Sequence, residues 1–176
     1  MQMNRIITFI ILIVILPFLI LIASIILIID RYPIFFVQER IGKKKKIFKI
    51  YKFRTMDNNK ITALGKFLRR TGIDEIPQLI NILIGDMNFI GPRPLTKQDI
   101  IRLEWDTNFH DIRWSIKPGI TGLSQLLPIC NKRASFFLDK FYVNNHSIIL
   151  NGKIIFTSVL ILFLGKRKGQ KIFFKR

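Results

Sequence analysis

"IITFIILIVILPFLILIASIILII", Ile6 to Ile29, runs for 24 residues without a charge. About 20 apolar residues carry a helix across a hydrocarbon core, so this stretch is long enough to do so. A cleaved signal peptide has an apolar region of only about 7–15 residues and ends at a small-residue site. Here Ala23-Ser24 lies inside the run, with further isoleucines after it, so the segment is expected to stay in the mature protein. Pro17 falls near its middle. A mid-helix proline removes one backbone donor and crowds the preceding turn, which kinks or breaks the helix. Two paths satisfy these residues: a kinked helix that spans, the simpler of the two, and a re-entrant helix that bends at Leu16-Pro17 and leaves by the face it entered. Arg5 precedes the run, while Arg31, Arg40 and Lys43 to Lys46 follow it. That heavier positive flank places the C-terminal body in the cytoplasm on either path.

At 176 residues the chain has room for one domain beside this segment. With 29 Lys+Arg against 11 Asp+Glu, a formal charge of +18 calls for an anionic partner or surface. Nucleic acid, anionic lipid and phosphorylated small molecules all qualify, and charge alone does not choose among them. Cys130 is the only cysteine, which excludes an intrachain disulfide and reads as a small buried hydrophobe. His110 and His146 are the only histidines, too few for a His-rich metal site, and a Ser-His-Asp triad is disfavoured.

Beyond the apolar segment, "IFFVQER" and "IFKIYKF" read as strands joined at "GKKKK", a hairpin tip. Beside a membrane segment, the simplest partner for those lysines is anionic headgroups, at about 1 kcal/mol per lysine near the surface. "RTMDNNKITALG" contains the polar cluster of a loop. Thr62 to Arg70 reads as a short basic helix ended at Thr71-Gly72. Glu75 to Ile84 reads as another, burying Ile76, Leu79, Ile80 and Leu83 and stopping at Gly85. In "FIGPRPLTKQD" Arg93 is held between Pro92 and Pro94, and Thr96 with Asp99 resembles a capping pair. "SIKPGITGLSQ" is turn-rich, and a helix is expected over Ala134 to Val143. From Ile154 roughly 11 apolar residues precede Lys166, too few to span; this stretch is expected to be buried or to lie in the interface. The basic and aromatic "KRKGQKIFFKR" after it suits a surface-binding segment.

In so basic a chain the adjacent acids of "RRTGIDEIPQLINILIGD", Asp74 and Glu75, stand out. Asp is a good N-cap and Pro77 suits a first turn, so Asp74 can simply cap the helix. A carboxylate at a helix N-terminus is also kept ionised there, and phosphate favours the same place. Arg69 and Arg70 lie within reach, and the planar fork of arginine matches phosphate oxygens. Adjacent carboxylates can hold Mg²⁺, and an ionised Asp can attack phosphorus. A metal-assisted phosphoryl transfer is coherent with these residues, and no Walker-type or kinase-type glycine loop points to ATP chemistry.

Together "FFVQERIGKKKKIFKIYKFRTM", "LGKFLRRTGIDEIPQLINILIGDMNFIGPRPL" and "KPGITGLSQ" resemble, in order and spacing, successive motifs of the bacterial sugar transferases, the monotopic phosphoglycosyl transferases. The resemblance covers nearly the whole chain, and the length suits the smallest members, which consist of the catalytic domain alone. It implies an α+β, mostly helical, monotopic membrane protein. Residues 1–30 would form a re-entrant helix-break-helix, and 31–176 a cytoplasmic interfacial catalytic domain with a short β-hairpin and amphipathic helices. The implied reaction moves sugar-1-phosphate from a UDP-sugar to undecaprenyl phosphate and releases UMP, at the cytoplasmic face of the bacterial inner membrane. By motif position Asp74 would be the nucleophile, Glu75 with Asp74 would hold Mg²⁺, and Arg69 with Arg70 would bind phosphate. Arg93 would line the site, and Gly119 and Gly122 would lie near the nucleotide. Anionic lipids and downstream glycosyltransferases are the other partners implied, with no nucleic acid. The family often has Ser before the membrane proline where this chain has Leu16; the freed backbone groups would then turn to Thr8 or Ser24. The alternative from another class is a non-catalytic, membrane-anchored basic protein, in which the lysines matter and the Asp-Glu pair does not.

Overall fold

The computed structural model describes residues 2–31, 33–126 and 131–164; Cys130 and the basic-aromatic stretch from Lys166 lie outside them. The chain opens with a 28-residue helix, α1 (Gln2–Ile29). A hairpin follows, β1 (Phe35–Ile41) and β2 (Ile47–Phe53), with Lys43–Lys45 in a 3₁₀ turn at its tip. A smaller hairpin, β3 (Met56–Asp57) and β4 (Lys60–Ile61), precedes α2 (Ala63–Thr71) and, after a 3₁₀ stretch, α3 (Leu79–Ile84). Then come β5 (Asn88–Ile90), α4 (Lys97–Leu103), a 3₁₀ segment Asn108–Ser115, β6 (Gly119–Thr121) and α5 (Leu123–Leu126). The described part closes with α6 (Lys132–Asn145) and α7 (Ile148–Leu164). The fold is thus mostly helical α+β with small sheets, as the sequence implies.

Local chemistry sets most of these boundaries. The hydroxyl of Thr62 accepts from the Gly65 N–H at 2.9 Å to open α2, and α3 ends at Gly85 in the left-handed region. The expected pair at Thr96 and Asp99 is a full capping box on α4. The polar "MDNNKI" is a hairpin rather than an open loop: Asn58 and Asn59 both take positive φ, as a two-residue turn between strands requires. "KPGIT" likewise forms strand β6, parallel to β5, with Asn88 opposite Gly119 and Ile90 opposite Thr121.

The chain forms two compact units, one from the described residues of Met1–Gln38 and Lys49–Gly85, the other from those of Glu39–Phe48 and Asp86–Arg176. In the first, Ile22 and Ile26 of α1 pack on Phe53 and Leu68. Asn81 ties α3 to β2: its Nδ2 donates to the Lys49 carbonyl at 2.6 Å, and its Oδ1 accepts from the Tyr51 N–H at 3.2 Å. In the second unit one cluster gathers Leu95, Trp105, Trp114 and Phe136, and another Ile90, Leu123, Leu126, Tyr142 and Ile154. Each such side chain, fully buried, contributes about 1.5–3 kcal/mol.

Two further expectations change. First, α1 is one helical element with Pro17 inside it, so no separate break divides it at Leu16-Pro17. Proline deletes a single donor here, while every other group of an apolar helix is best satisfied within the helix. Thr8 and Ser24 do not serve that site either. Their hydroxyls donate to the Asn4 and Ile20 carbonyls, at 2.6 and 2.9 Å, four residues back in each case. Second, the face of α3 is shifted. Leu79, Asn81 and Ile82 are buried, Ile76 and Leu83 only partly, and Ile80 is 39% exposed. The cause is the 3₁₀ stretch Ile73–Gln78, whose three residues per turn reset the phase before α3 begins.

Candidate active site

Three elements of the first unit bring charged side chains together. Phe48 and Ile50 are buried at alternate positions of β2, and Lys52 occupies the next position of that series. There its ammonium ion-pairs with Glu75 Oε1. On α2, a Cβ at Gly65 would stand 2.2 Å from the Thr55 carbonyl oxygen, so the helix can lie against the chain after β2 only through a glycine. Leu68 in the next turn has no exposure. Arg69, four residues from Gly65 and on its face, donates from Nε to Thr55 Oγ1 at 2.8 Å. The chain leaves α2 through Gly72, whose φ of 72° suits glycine. It then enters the 3₁₀ stretch that carries Asp74 and Glu75 in its first turn.

Asp74 is therefore not an N-cap. Gly72 holds that position and no side chain caps the stretch, because the left-handed residue starts the turn two positions earlier than a capping Asp would. Nor does the turn hold its pKa below the ordinary value, as a helix N-terminus was expected to do. Asp74 is 9% exposed. Its pKa is raised above the ordinary carboxylate value, first by burial and then by the charge of Glu75. Lys52 and then Arg69 pull it back down, and the backbone hydrogen bond has the smallest influence. Arg70 is exposed on the last turn of α2 and has no side-chain partner among the described residues.

No group of three or more His, Cys, Asp or Glu is gathered as a metal cluster among the described residues. The residues nevertheless fit Mg²⁺, which commonly takes one or two carboxylates and completes its shell with water and substrate phosphate. Two adjacent acids, one disfavoured as an anion by burial and by its neighbour, are the donor set that a divalent cation relieves.

In the second unit, Gly119 and Gly122 owe their identity to packing. A Cβ at Gly119 would lie 2.1 Å from the Gly91 nitrogen, and one at Gly122 would lie 2.1 Å from the Gly91 oxygen. Arg93, in the turn after β5, is exposed and has no side-chain partner among the described residues. The structure thus gathers Asp74, Glu75 and Arg69 in one unit, and places Arg93, Gly119 and Gly122 in the other. Reading the sequence missed Lys52, for which a signal existed: a lysine on the inward side of an alternating strand needs an acidic partner. It also missed a buried ion pair of the second unit, Arg113 Nε to Asp139 Oδ2 at 2.7 Å. Asp139 lies between Phe136 and Tyr142 at three-residue spacing, on the inward face of α6.

The described residues thus form a helical α+β body with one helix long and apolar enough, by length and composition, to cross a membrane, and with paired acids beside a lysine and an arginine. The chain belongs to the bacterial sugar transferase family, whose model matches residues 1–165. It is 34% identical over 175 residues to the exopolysaccharide production protein PSS of Rhizobium leguminosarum bv. phaseoli, covering 85% of this chain and 87% of that one. It is 34% identical over 184 residues to the UDP-glucose:undecaprenyl-phosphate glucose-1-phosphate transferase of Klebsiella pneumoniae, covering 92% of this chain and 39% of the relative. To the UDP-N-acetylgalactosamine-undecaprenyl-phosphate N-acetylgalactosaminephosphotransferase of Aeromonas hydrophila it is 32% identical over 152 residues, or 76% and 36% of the two chains. The chain spans well under half the length of the latter two.

Proposed function

We propose that this protein is a phosphoglycosyl transferase that moves sugar-1-phosphate from a UDP-sugar to undecaprenyl phosphate. The observation that carries the reading is the Asp74–Glu75 pair, with Lys52 and Arg69 arranged around it, in a chain of the bacterial sugar transferase family. The names of the Klebsiella and Aeromonas relatives supply the substrate classes.

In the first step a carboxylate oxygen of Asp74 attacks the sugar-bearing phosphorus of the donor. The bond from that phosphorus to the UMP oxygen breaks, UMP leaves, and the phosphosugar is esterified to Asp74. In the second step a phosphate oxygen of undecaprenyl phosphate attacks the same phosphorus. The acyl-phosphate bond breaks, Asp74 recovers its carboxylate, and undecaprenyl-diphosphate-sugar departs. Lys52 holds Glu75 in place, and Arg69, anchored on Thr55, offers its guanidinium to phosphate oxygens. When bound by Asp74 and Glu75, Mg²⁺ would offset negative charge on the phosphates.

The same reading places the protein at the cytoplasmic face of the bacterial inner membrane, acting before downstream glycosyltransferases, with residues 1–30 inserted and 31–176 at the interface. Most of α1 is uncovered: only 11% of its most apolar window is buried. At 28 residues it is about 42 Å long, more than the ~30 Å of a hydrocarbon core. Arg5 near its start donates to the Leu83 carbonyl at 2.6 Å and the Ile84 carbonyl at 3.2 Å. Ile22 and Ile26 near its end pack on Phe53 and Leu68 of the same unit. Contacts of both ends with one compact unit support a re-entrant path in which α1 stays one helical element.

The test uses purified protein, undecaprenyl phosphate, Mg²⁺ and a panel of UDP-sugars, with UMP release as the readout. Turnover with at least one donor, its loss in Asp74→Asn and its loss in EDTA are expected. Undiminished turnover in Asp74→Asn would overturn the nucleophile, and insensitivity to EDTA the metal. Silence with every donor would leave the non-catalytic basic protein as the better reading.

A further inference from the structure

The chain turns sharply where α1 ends. Asp30 still donates from its N–H to the Ile26 carbonyl at 2.8 Å, but Arg31 stands at φ 59°, a left-handed conformation that disfavours a residue with a Cβ. Such a turn persists only where its surroundings hold it. Here the holder is Arg54, the residue after β2. Its Nη2 donates to the Asp30 carbonyl and, at 2.9 Å, to the Arg31 carbonyl. Its backbone N–H donates to the Ile34 carbonyl at 2.9 Å. Its Nη1 pairs with Asp57 Oδ1 of β3 at 3.4 Å.

A second tie runs from the same helix end to α2. The Thr62 hydroxyl that accepts from the Gly65 N–H also donates to Asp30 Oδ2 at 2.8 Å. Apolar packing backs both ties: Ile26, one turn before Asp30, has no exposure and shares a cluster with Phe53, the residue before Arg54. The last carbonyls of a helix lack partners within it and carry its negative end, so a guanidinium just beyond them is well matched. A planar fork meets two carbonyls and a carboxylate together, whereas the point charge of a lysine does not. Two residues back along the chain, ~7 Å of extended backbone, Lys52 pairs with Glu75. The end of the apolar helix and the acid pair are thus joined through one short piece of chain, all within the first unit. The chemistry at Asp74 makes no use of Arg54 itself.

We infer that Arg54 is a positioning residue: by latching the end of α1 to the chain that carries Lys52, it fixes the depth at which Asp74 and Glu75 stand against the bilayer holding α1. A lipid phosphate is confined to one depth, because its tail stays in hydrocarbon, whereas a nucleotide sugar arrives from water. A loose latch therefore penalises the lipid acceptor and spares the soluble donor, since it misplaces only the partner that cannot follow the site. This inference rests on the reading of the protein as a membrane-bound transferase that uses undecaprenyl phosphate.

The experiment reconstitutes the full chain, as wild type and as Arg54→Lys, in vesicles of phosphatidylethanolamine and phosphatidylglycerol that carry undecaprenyl phosphate. UMP release gives kcat/KM for each substrate, and in a two-step transfer through Asp74 each value reports its own half of the reaction. Arg54→Lys keeps the charge and loses the fork. It is expected to lower kcat/KM for undecaprenyl phosphate about tenfold and to leave that for the UDP-sugar within about twofold. Spin labels on Ile28→Cys and Lys66→Cys, both exposed positions, in a Cys130→Ser background read the latch directly. Their distance should be narrowly distributed with Arg54 and broad with Arg54→Lys. Equal losses for both substrates would overturn the inference, as would a distance that stays narrow. Should Arg54→Lys fail to fold, Asp30→Ala, which cuts the tie to Thr62 and leaves that hydroxyl to cap α2, repeats both measurements under the same criteria. A wild-type protein that releases no UMP sinks the transferase reading and this inference with it; an active wild type whose variant fails either criterion sinks the inference alone.

Discussion

An aspartate that is 9% exposed, with a glutamate next to it, is uncomfortable as an anion. Its folded-state pKa lies above the ordinary carboxylate value, so between those two pH values the folded protein binds more protons than the unfolded chain. Stability therefore falls as pH rises through that window. The melting temperature of Asp74→Asn relative to wild type should accordingly climb as pH is raised from the acid range through the raised pKa and level off above it. Thermal melts across pH would check this, and a gap that shrank with rising pH would contradict it. In the proposed mechanism the same group sets the acid limb of turnover. Lys52 is the larger of the two cationic influences that lower the pKa of Asp74. Lys52→Met should therefore move the acid limb of kcat/KM to higher pH and cut the rate about 10²-fold at neutral pH, as loss of one preorganised charge does. Asp74, Glu75 and Arg69 were legible because acids are scarce in this chain. Lys52 was missed, since among 29 basic residues its one signal was its place in the alternation of "IFKIYKF".

At the level of elements, glycines divide into those that hold structure and those that do not. Gly119 leaves no space for a methyl group, with Gly91 backbone 2.1 Å from where it would sit, whereas Gly152 of α7 has nothing within 4 Å. Gly119→Ala should destabilise the fold by about 3 kcal/mol or more, because backbone rather than a flexible side chain must move. Gly152→Ala should stabilise it by up to about 1 kcal/mol through helix propensity. Melts of the two variants beside wild type decide both. Helix ends were readable wherever a cap is local, as at Thr62, Gly85 and the Thr96–Asp99 box. The phase of α3 was not, because the 3₁₀ stretch before it depends on Gly72 being left-handed, and periodicity does not register that. Strand β6 was hidden for a related reason: three residues pair with a partner 31 positions away, counted from Asn88 to Gly119.

For the whole molecule the decisive question is where the start of α1 lies. With Arg5 bound to the Leu83 and Ile84 carbonyls, a re-entrant helix keeps its N-terminus on the cytoplasmic side. Met3→Cys, in a Cys130→Ser background, should then resist a membrane-impermeant thiol reagent in intact cells and react once the cells are opened. Ready labelling in intact cells would favour spanning. The apolar run was plain in the sequence. The division into two units was not, because residues 39–48 group with the chain after Asp86 rather than with their neighbours, and local pattern carries no trace of that.

The amide of Asn81 has a consequence beyond joining α3 to β2. By giving and taking one hydrogen bond at Lys49 and Tyr51, it imitates a third strand laid along the ribbon. A two-stranded sheet with an open margin invites pairing with another chain, and here a helix-borne side chain fills that margin. Asn81→Asp would set an acceptor against the Lys49 carbonyl and reopen it. Such a variant should be recognised first by clumping during expression, before any loss of turnover in the fraction that stays dispersed.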